Sequence, residues 1–195
     1  MLNKKIKTYV INLDKRPDRL SELRIPLNWE RFSATDGQKY KYTPEKERGW
    51  RGCHDSHTRL INKIIDDDNS ELFMIFEDDV ELCDNFIEKM ENIINSLPND
   101  WELLFLGGWN VGEKIKYNQY VNLANKVYCM HAYVFKYETA KKLLNKFNER
   151  IYKVDVLLAE LLPQLNAYIC EPTIAWQRAG FSNIENKITN NVHLR

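Results

Sequence analysis

The chain has 195 residues, 44% apolar and 12% aromatic, and its 28 basic and 28 acidic side chains cancel to a formal net charge of zero. That length suits one domain over residues 1–195, large enough for a core that needs no disulfide support. A zero balance supplies no general field for a polyanion and so argues against nucleic-acid binding, while seven Gly and six Pro are too few for a linker or a disordered tail.

The opening Met1-Leu2-Asn3-Lys4-Lys5-Ile6-Lys7 is charged without a following apolar run, and no stretch of about 18 apolar residues occurs anywhere. The expectation is a cytoplasmic chain with no transmembrane segment. Thr8-Tyr9-Val10-Ile11-Asn12-Leu13 reads as a strand ended by the charged turn Asp14-Lys15-Arg16-Pro17-Asp18, with a short helix over 18–23. Apolar positions Leu60, Ile61, Ile64 and Ile65 recur at helical spacing after Cys53, giving a helix over 53–65 that Asp66-Asp67-Asp68-Asn69-Ser70 breaks. Leu72-Phe73-Met74-Ile75-Phe76 is the pattern of a strand covered on both faces, and it runs straight into Glu77-Asp78-Asp79. A helix over 86–97, a strand over 101–106 ended by Gly107-Gly108, one long strand over 127–135, and helices over 138–147 and 156–162 complete the series. Strands alternating with helices imply an α/β domain with a mainly parallel central sheet flanked by helices.

Charge is unevenly distributed along the chain. Residues 1–24 carry seven basic and three acidic side chains, whereas residues 66–91 carry eleven acidic ones against Lys89 alone. The acidic run at 66–68 reads as a solvated loop. Glu77-Asp78-Asp79 differs because it sits at the carboxyl end of an apolar strand, where open α/β sheets bind ligands. Either Glu77 and Asp79 share a face while Asp78 points away, or a turn redirects all three. Clustered carboxylates suit Mn²⁺ or Mg²⁺, and the competing role is to cap the helix that follows Asp84. His54 and His57 share a helix face beside Cys53, a hint of zinc without a second ligand pair, and Ser56-His57 also reads as a polar helix start. Cys53, Cys83, Cys129 and Cys170 are spaced for reduced thiols.

Taken in order, Val10-Ile11-Asn12-Leu13-Asp14-Lys15-Arg16-Pro17-Asp18-Arg19, Ala34-Thr35-Asp36-Gly37, Gly52-Cys53-His54-Asp55-Ser56-His57, Ile75-Phe76-Glu77-Asp78-Asp79 and Trp101-Glu102-Leu103-Leu104-Phe105-Leu106-Gly107 resemble the family 25 glycosyltransferases. The likeness continues through His131-Ala132-Tyr133-Val134, Val154-Asp155, Pro172-Thr173-Ile174-Ala175-Trp176-Gln177 and Phe181-Ser182-Asn183-Ile184. That family includes lipooligosaccharide and procollagen galactosyltransferases. The resemblance implies a GT-A (Rossmann-like) fold and inverting transfer of a sugar, commonly galactose from a UDP donor, to a glycan or glycoconjugate acceptor. A lipid-linked acceptor would bring the chain to a membrane surface. One departure is Gly49-Trp50-Arg51-Gly52-Cys53, where the family has Gly-Glu-aliphatic-Gly-Cys.

On this resemblance Asn12, Arg16, Arg19 and Asp78 are expected at the donor, Asp79 with Glu77 and His131 at a Mn²⁺ or Mg²⁺ ion, and Asp155 as the base that takes the acceptor proton. Their ordinary roles are an exposed ion pair of Arg16 or Arg19 with Asp14 and Asp18, a satisfied core histidine at His131, and a first-turn helix acid at Asp155. Trp109 is a sugar-stacking or a core aromatic. Two rivals use the same residues: a catalytically silent sugar-nucleotide or glycan-binding module, and a metal-dependent hydrolase or nucleotidyltransferase.

Overall fold

The computed structural model describes residues 6–67, 70–182, 184 and 187–190. The opening segment through Lys5, Asp68-Asn69 of the acidic loop and Asn183 of the last motif lie outside the described residues.

Strand β1 (Ile6–Asn12) leads through a short helix α1 (Pro17–Glu22) to β2 (Glu30–Ser33). The long helix α2 (Glu45–Asp67) then returns the chain to β3 (Leu72–Glu77), and β4 (Val80–Leu82) follows directly. After α3 (Phe86–Ser96) come β5 (Leu103–Phe105), β6 (Trp109–Asn110), β7 (Val121–Leu123), β8 (Val127–Tyr128) and β9 (Ala132–Lys136). Helices α4 (Ala140–Asn148) and α5 (Val154–Leu161) precede β10 (Ala167–Cys170), β11 (Ala175–Gln177), β12 (Gly180–Ser182) and β13 (Lys187–Thr189).

Seven strands form the central sheet in the order β2-β1-β3-β9-β5-β10-β7. β2, β1 and β3 pair in parallel, as do β5 and β10, while β9 is antiparallel to both of its neighbours and β7 to β10. Five strands therefore share one direction, and the α/β architecture with flanking helices follows the expectation. Alternation along the strands feeds two cores. Tyr9, Phe73, Ile75, Phe105, Tyr133 and Phe135 pack with α2, α4 and α5 on one face. Val10, Met74, Phe76, Leu104 and Val134 pack with Phe86, Met90 and Ile93 of α3 on the other. Burial on both faces explains why β3 lacks a polar alternation.

Two expected elements are corrected. The strand expected over 127–135 is two strands, because Cys129 takes a left-handed conformation with φ 68° and turns the chain between them. β8 thereby pairs with β6, whereas β9 enters the central sheet. The helix expected from residue 53 begins at Glu45, so Ser56-His57 is mid-helix and not a helix start. Ser56 is buried there, donating to the Gly52 carbonyl at 2.6 Å and accepting from the Thr35 amide at 2.9 Å.

That contact is made possible by glycine. A Cβ on Gly37 would lie 1.7 Å from the Arg48 carbonyl oxygen, and one on Gly52 would lie 2.7 Å from the Gly37 nitrogen and the Thr35 oxygen. The loop after β2 thus lies directly against α2 by backbone contact. Gly37→Ala should destabilise the fold by about 1–3 kcal/mol through overpacking. Gly180→Ala, where a Cβ meets nothing within 4 Å, should leave the denaturation midpoint unchanged. Equal midpoints for both variants in urea would contradict this account.

Candidate active site

The carboxyl ends of β1 and β3 lie side by side, with Ile11 opposite Glu77 in register. One residue further on, Asn12 and Asp78 meet, Asn12 Nδ2 donating to Asp78 Oδ2 at 2.7 Å. Both are buried, at 1% and 6% exposure, so this polar contact is shut away from water and must be satisfied internally. Arg19 of α1 completes it, with Nη1 2.5 Å from Asp78 Oδ1. Asn12 uses its other polar atom as well, Oδ1 accepting from Arg31 Nε at 2.9 Å, and Nδ2 also donates to the Arg16 carbonyl at 2.9 Å. Arg31 was not singled out from the sequence; its partner is across the sheet, and no local pattern marks it.

Glu77-Asp78-Asp79 straddles the end of β3 and a tight turn into β4, so all three carboxylates are redirected toward one cavity of about 250 Å³. Cys53 and His57 of α2, Arg19, Thr35 and Gln177 also line it. The acidic cluster does not cap α3: β4 intervenes, and Asn85 precedes that helix in a left-handed conformation. β4 pairs with β11, which brings Gln177 opposite Val80 and lets Gln177 Nε2 donate to Glu77 Oε2 at 3.4 Å. Gln177 stood in a recognised motif without a role, because only this long-range pairing gives it one.

The three carboxylates have different surroundings. Glu77 Oε1 lies 3.3 Å from His57 Nε2, and the far nitrogen of that ring, Nδ1, is 2.9 Å from the Tyr133 hydroxyl. Burial pushes the Glu77 carboxyl up, but the hydrogen bond from His57, with the electrostatic pull of His57 and Arg19, outweighs it and holds it below its usual range. Asp79 behaves oppositely: burial, then the charge of Glu77, raise it to about 7. Its Oδ2 is 3.5 Å from Arg19 Nη1, and its Oδ1 is buried with no hydrogen-bond partner among the described residues. A buried acceptor left unpaired costs on the order of 1–3 kcal/mol. Hard oxygen donors with one such orphaned atom fit a Mn²⁺ or Mg²⁺ ion.

His131 follows the β8–β9 turn, its carbonyl accepting from the Glu77 amide at 2.9 Å. The ring is fully buried with Nε2 3.3 Å from the Ala175 carbonyl and Nδ1 without a partner among the described residues, and burial lowers its pKa, which favours the neutral imidazole. His54, by contrast, is a core residue bonded to the Phe147 carbonyl at 2.9 Å.

Other expected site residues lie outside the cavity wall. Arg16 bridges Asp18, with Nη2 2.7 Å from Oδ2, which is the ordinary ion pair foreseen for it. Asp155, in the first turn of α5, accepts from the Val156 amide at 2.9 Å and from the Cys129 amide at 3.4 Å, so its carboxylate braces the turn that divides β8 from β9. Its charge, after burial, helps push the Cys129 thiol up to about 12. Trp109 is 52% exposed beside Tyr128, open to a ligand and not a core aromatic. Arg51, the departure from the resembled pattern, lies over the Tyr40 ring and donates to Thr43 Oγ1 at 2.8 Å. Trp50 packs on Tyr152. All four cysteines are free, and among the described residues no helix is long and apolar enough to cross a membrane.

Comparison with known proteins accords with this geometry. The chain is 29% identical over 173 residues to the procollagen lysyl hydroxylase and glycosyltransferase of Acanthamoeba polyphaga mimivirus, an alignment that covers 71% of this chain and 19% of that protein. A second protein of the same virus is 23% identical over 146 residues, covering 65% of this chain and 44% of its own length. The chain therefore spans about a fifth of the first relative's length and less than half of the second's. Among solved structures, that of A197 from STIV superimposes with a TM-score of 0.52 at 11% identity, over 98% of this chain and 96% of that one, which is a likeness of fold. The model of glycosyltransferase family 25 (LPS biosynthesis protein) matches residues 5–158, the stretch that holds the acidic turn, α2 and Asp155, and the chain belongs to that family.

Proposed function

We propose that this chain transfers a sugar, galactose, from a UDP donor to a glycan or glycoconjugate acceptor with inversion at the anomeric carbon, and that residues 1–195 form one catalytic domain. The observation that carries the reading is the orphaned Oδ1 of Asp79, buried at the cavity where the strand-end carboxylates meet. Asp79 and Glu77 would hold Mn²⁺ or Mg²⁺, with the neutral, unpartnered Nδ1 of His131 as a third candidate ligand. When bound, that ion supplies positive charge against the diphosphate leaving group.

The chain's own groups supply the rest. Arg19 reaches the cavity between Asp78 and Asp79, and a guanidinium there pairs with diphosphate oxygens through its parallel N–H donors. Asp78, hydrogen-bonded by Asn12 and ion-paired with Arg19, keeps that guanidinium aimed. Asp155 is the proposed base: an unassisted sugar hydroxyl is a poor nucleophile, and a carboxylate that accepts its proton as it attacks from the opposite face accounts for roughly 10²- to 10⁴-fold in rate. Attack and departure on opposite faces leave no covalent intermediate on the enzyme.

One observation favours a second reading, a donor-binding module without turnover. Both Asp155 oxygens already accept from backbone amides, so the base is committed to bracing a turn unless substrate draws it away. Asp155→Asn separates the two: transfer should drop about 10²-fold or more with donor affinity within about threefold. Turnover unchanged by the substitution would remove Asp155 from the chemistry. A parent that binds UDP-galactose with Mn²⁺ but releases no UDP to any acceptor would favour the binding module.

Asp79→Asn tests the metal. Mn²⁺-dependent UDP binding, measured by calorimetry, should weaken by about tenfold or more, and an unchanged affinity would refute the assignment. Stability should move the other way. The carboxyl has an ordinary value of 3.8 and is raised to about 7 in the fold, so its ionisation costs stability progressively as pH rises through that window. The metal-free variant should therefore melt above the parent at about pH 8 and level with it near pH 4, a pattern that a merely disrupted fold would not produce.

A further inference from the structure

Three groups of different chemistry converge on the wall of the cavity. Cys53 and His57 stand four residues apart on α2, one turn of one face, and Glu77 reaches them from the end of β3. Cys53 Sγ lies 3.9 Å from Glu77 Oε1, and His57 Nε2 lies 3.3 Å from the same oxygen. The three ligand atoms all fall within 4.8 Å of one another. Zinc binds thiolate at about 2.3 Å and imidazole or carboxylate at about 2.0–2.2 Å, so neighbouring ligands of a tetrahedral ion stand about 3.3–3.8 Å apart. The His57–Glu77 edge matches that figure and the Cys53–Glu77 edge is slightly wider, so the side chains have to draw together to enclose the ion.

His57 carries a second, independent mark of a metal ligand. Its Nδ1 meets the Tyr133 hydroxyl at 2.9 Å, and Tyr133 is fully buried on β9, so the ring is locked with Nε2 aimed at the cluster. Metal-bound imidazoles are held this way by a partner on the far nitrogen, which fixes ring orientation. Asp79 differs in kind: it offers hard oxygen alone, its one side-chain contact among the described residues being the Arg19 guanidinium, which is no metal ligand.

We infer that Cys53, His57 and Glu77 form a three-ligand site for a thiophilic divalent cation, Zn²⁺ by chemistry, with its fourth position open to the cavity. The set of one sulfur, one nitrogen and one oxygen, with an open position, is the composition of an exchangeable zinc site and not of a closed structural one. Binding deprotonates the Cys53 thiol and releases that proton to solvent as the sulfur–metal bond forms. The site goes beyond the sugar-transfer reading and does not need it, since its geometry stands without any donor. Where that reading holds, the two sites share Glu77 and one cavity, so Zn²⁺ occupancy withdraws a carboxylate from the Mn²⁺ or Mg²⁺ position and acts as a brake on donor binding.

Cobalt provides the spectroscopic test. Metal-free parent chain titrated with Co²⁺ should develop thiolate-to-cobalt absorption in the near ultraviolet that saturates at one ion per chain and is abolished by stoichiometric Zn²⁺. Cys53→Ala and His57→Ala should lose the band, while Asp79→Asn and Cys83→Ala retain it. Absence of the band in the parent, or its persistence in Cys53→Ala, would overturn the assignment. A second measurement uses the parent alone and so is immune to misfolded variants: Zn²⁺ should slow alkylation of Cys53 by iodoacetamide about tenfold or more, read by peptide mapping, and Mg²⁺ should not. Equal rates with and without Zn²⁺ would refute the site. Because neither readout involves a nucleotide, loss of Mn²⁺-dependent UDP binding alongside an intact cobalt band counts against the sugar-transfer reading alone.

Discussion

A carboxylate removed from water has to be met by donors on every side, and Asp78, at 6% exposure, is met by two that come from different parts of the fold. Asn12 ends β1 and Arg19 sits on α1, so the single buried anion ties the first strand, its following helix and the end of β3 into one junction. Breaking such a pair by removing one partner costs about 3–5 kcal/mol, because the other charge is left stranded. The cavity depends on this junction. It holds the β1 and β3 termini in register at the point where the acidic turn leaves the sheet, and it keeps the Arg19 guanidinium on the cavity wall.

The same junction explains how neighbouring carboxylates acquire different properties. Asp78 is met by an amide and a guanidinium and Glu77 is held ionised by His57, whereas Asp79 has little left to compensate it and is pushed toward neutrality. Three like charges in one low-dielectric turn cannot all be stabilised by the protein alone. The fold accommodates the strain at one atom, Asp79 Oδ1, and so carries an electrostatic cost at the place where a cation would relieve it. That unpartnered acceptor, with the Nδ1 of His131 likewise unpartnered among the described residues, is the observation on which the proposed cation site rests.

On the opposite wall the constraint is steric. α2 approaches the loop after β2 at backbone distance through Gly37 and Gly52, and this closeness carries Cys53, Ser56 and His57 to the cavity. A helix one side chain further away would leave His57 short of Glu77, and the ionisation of that carboxylate would lose its support. Glycine in the middle of a helix costs about 0.5–1 kcal/mol relative to alanine, a local loss offset by the packing it permits.

Much of this was legible along the chain. The apolar run of β3, the amphipathic spacing of α2 and the carboxylates stationed at a strand end follow from local rules, because side-chain period and strand termination depend only on near neighbours. The order of motifs carried the family. What the chain order left open is every relation between distant residues. Whether Asp78 points with or against Glu77 was decided by Asn12 and Arg19, 66 and 59 positions away. The division of residues 127–135 rests on one left-handed residue, Cys129, whose amide is held by Asp155. The start of α2 extended beyond its apolar stripe because its first turns pack on a loop through glycine, which carries no hydrophobic signal. Sequence determined which chemistry this protein carries, since composition and local periodicity are properties of the chain itself; only the tertiary structure decided which of those groups meet, since burial and long-range pairing exist only once the sheet has formed.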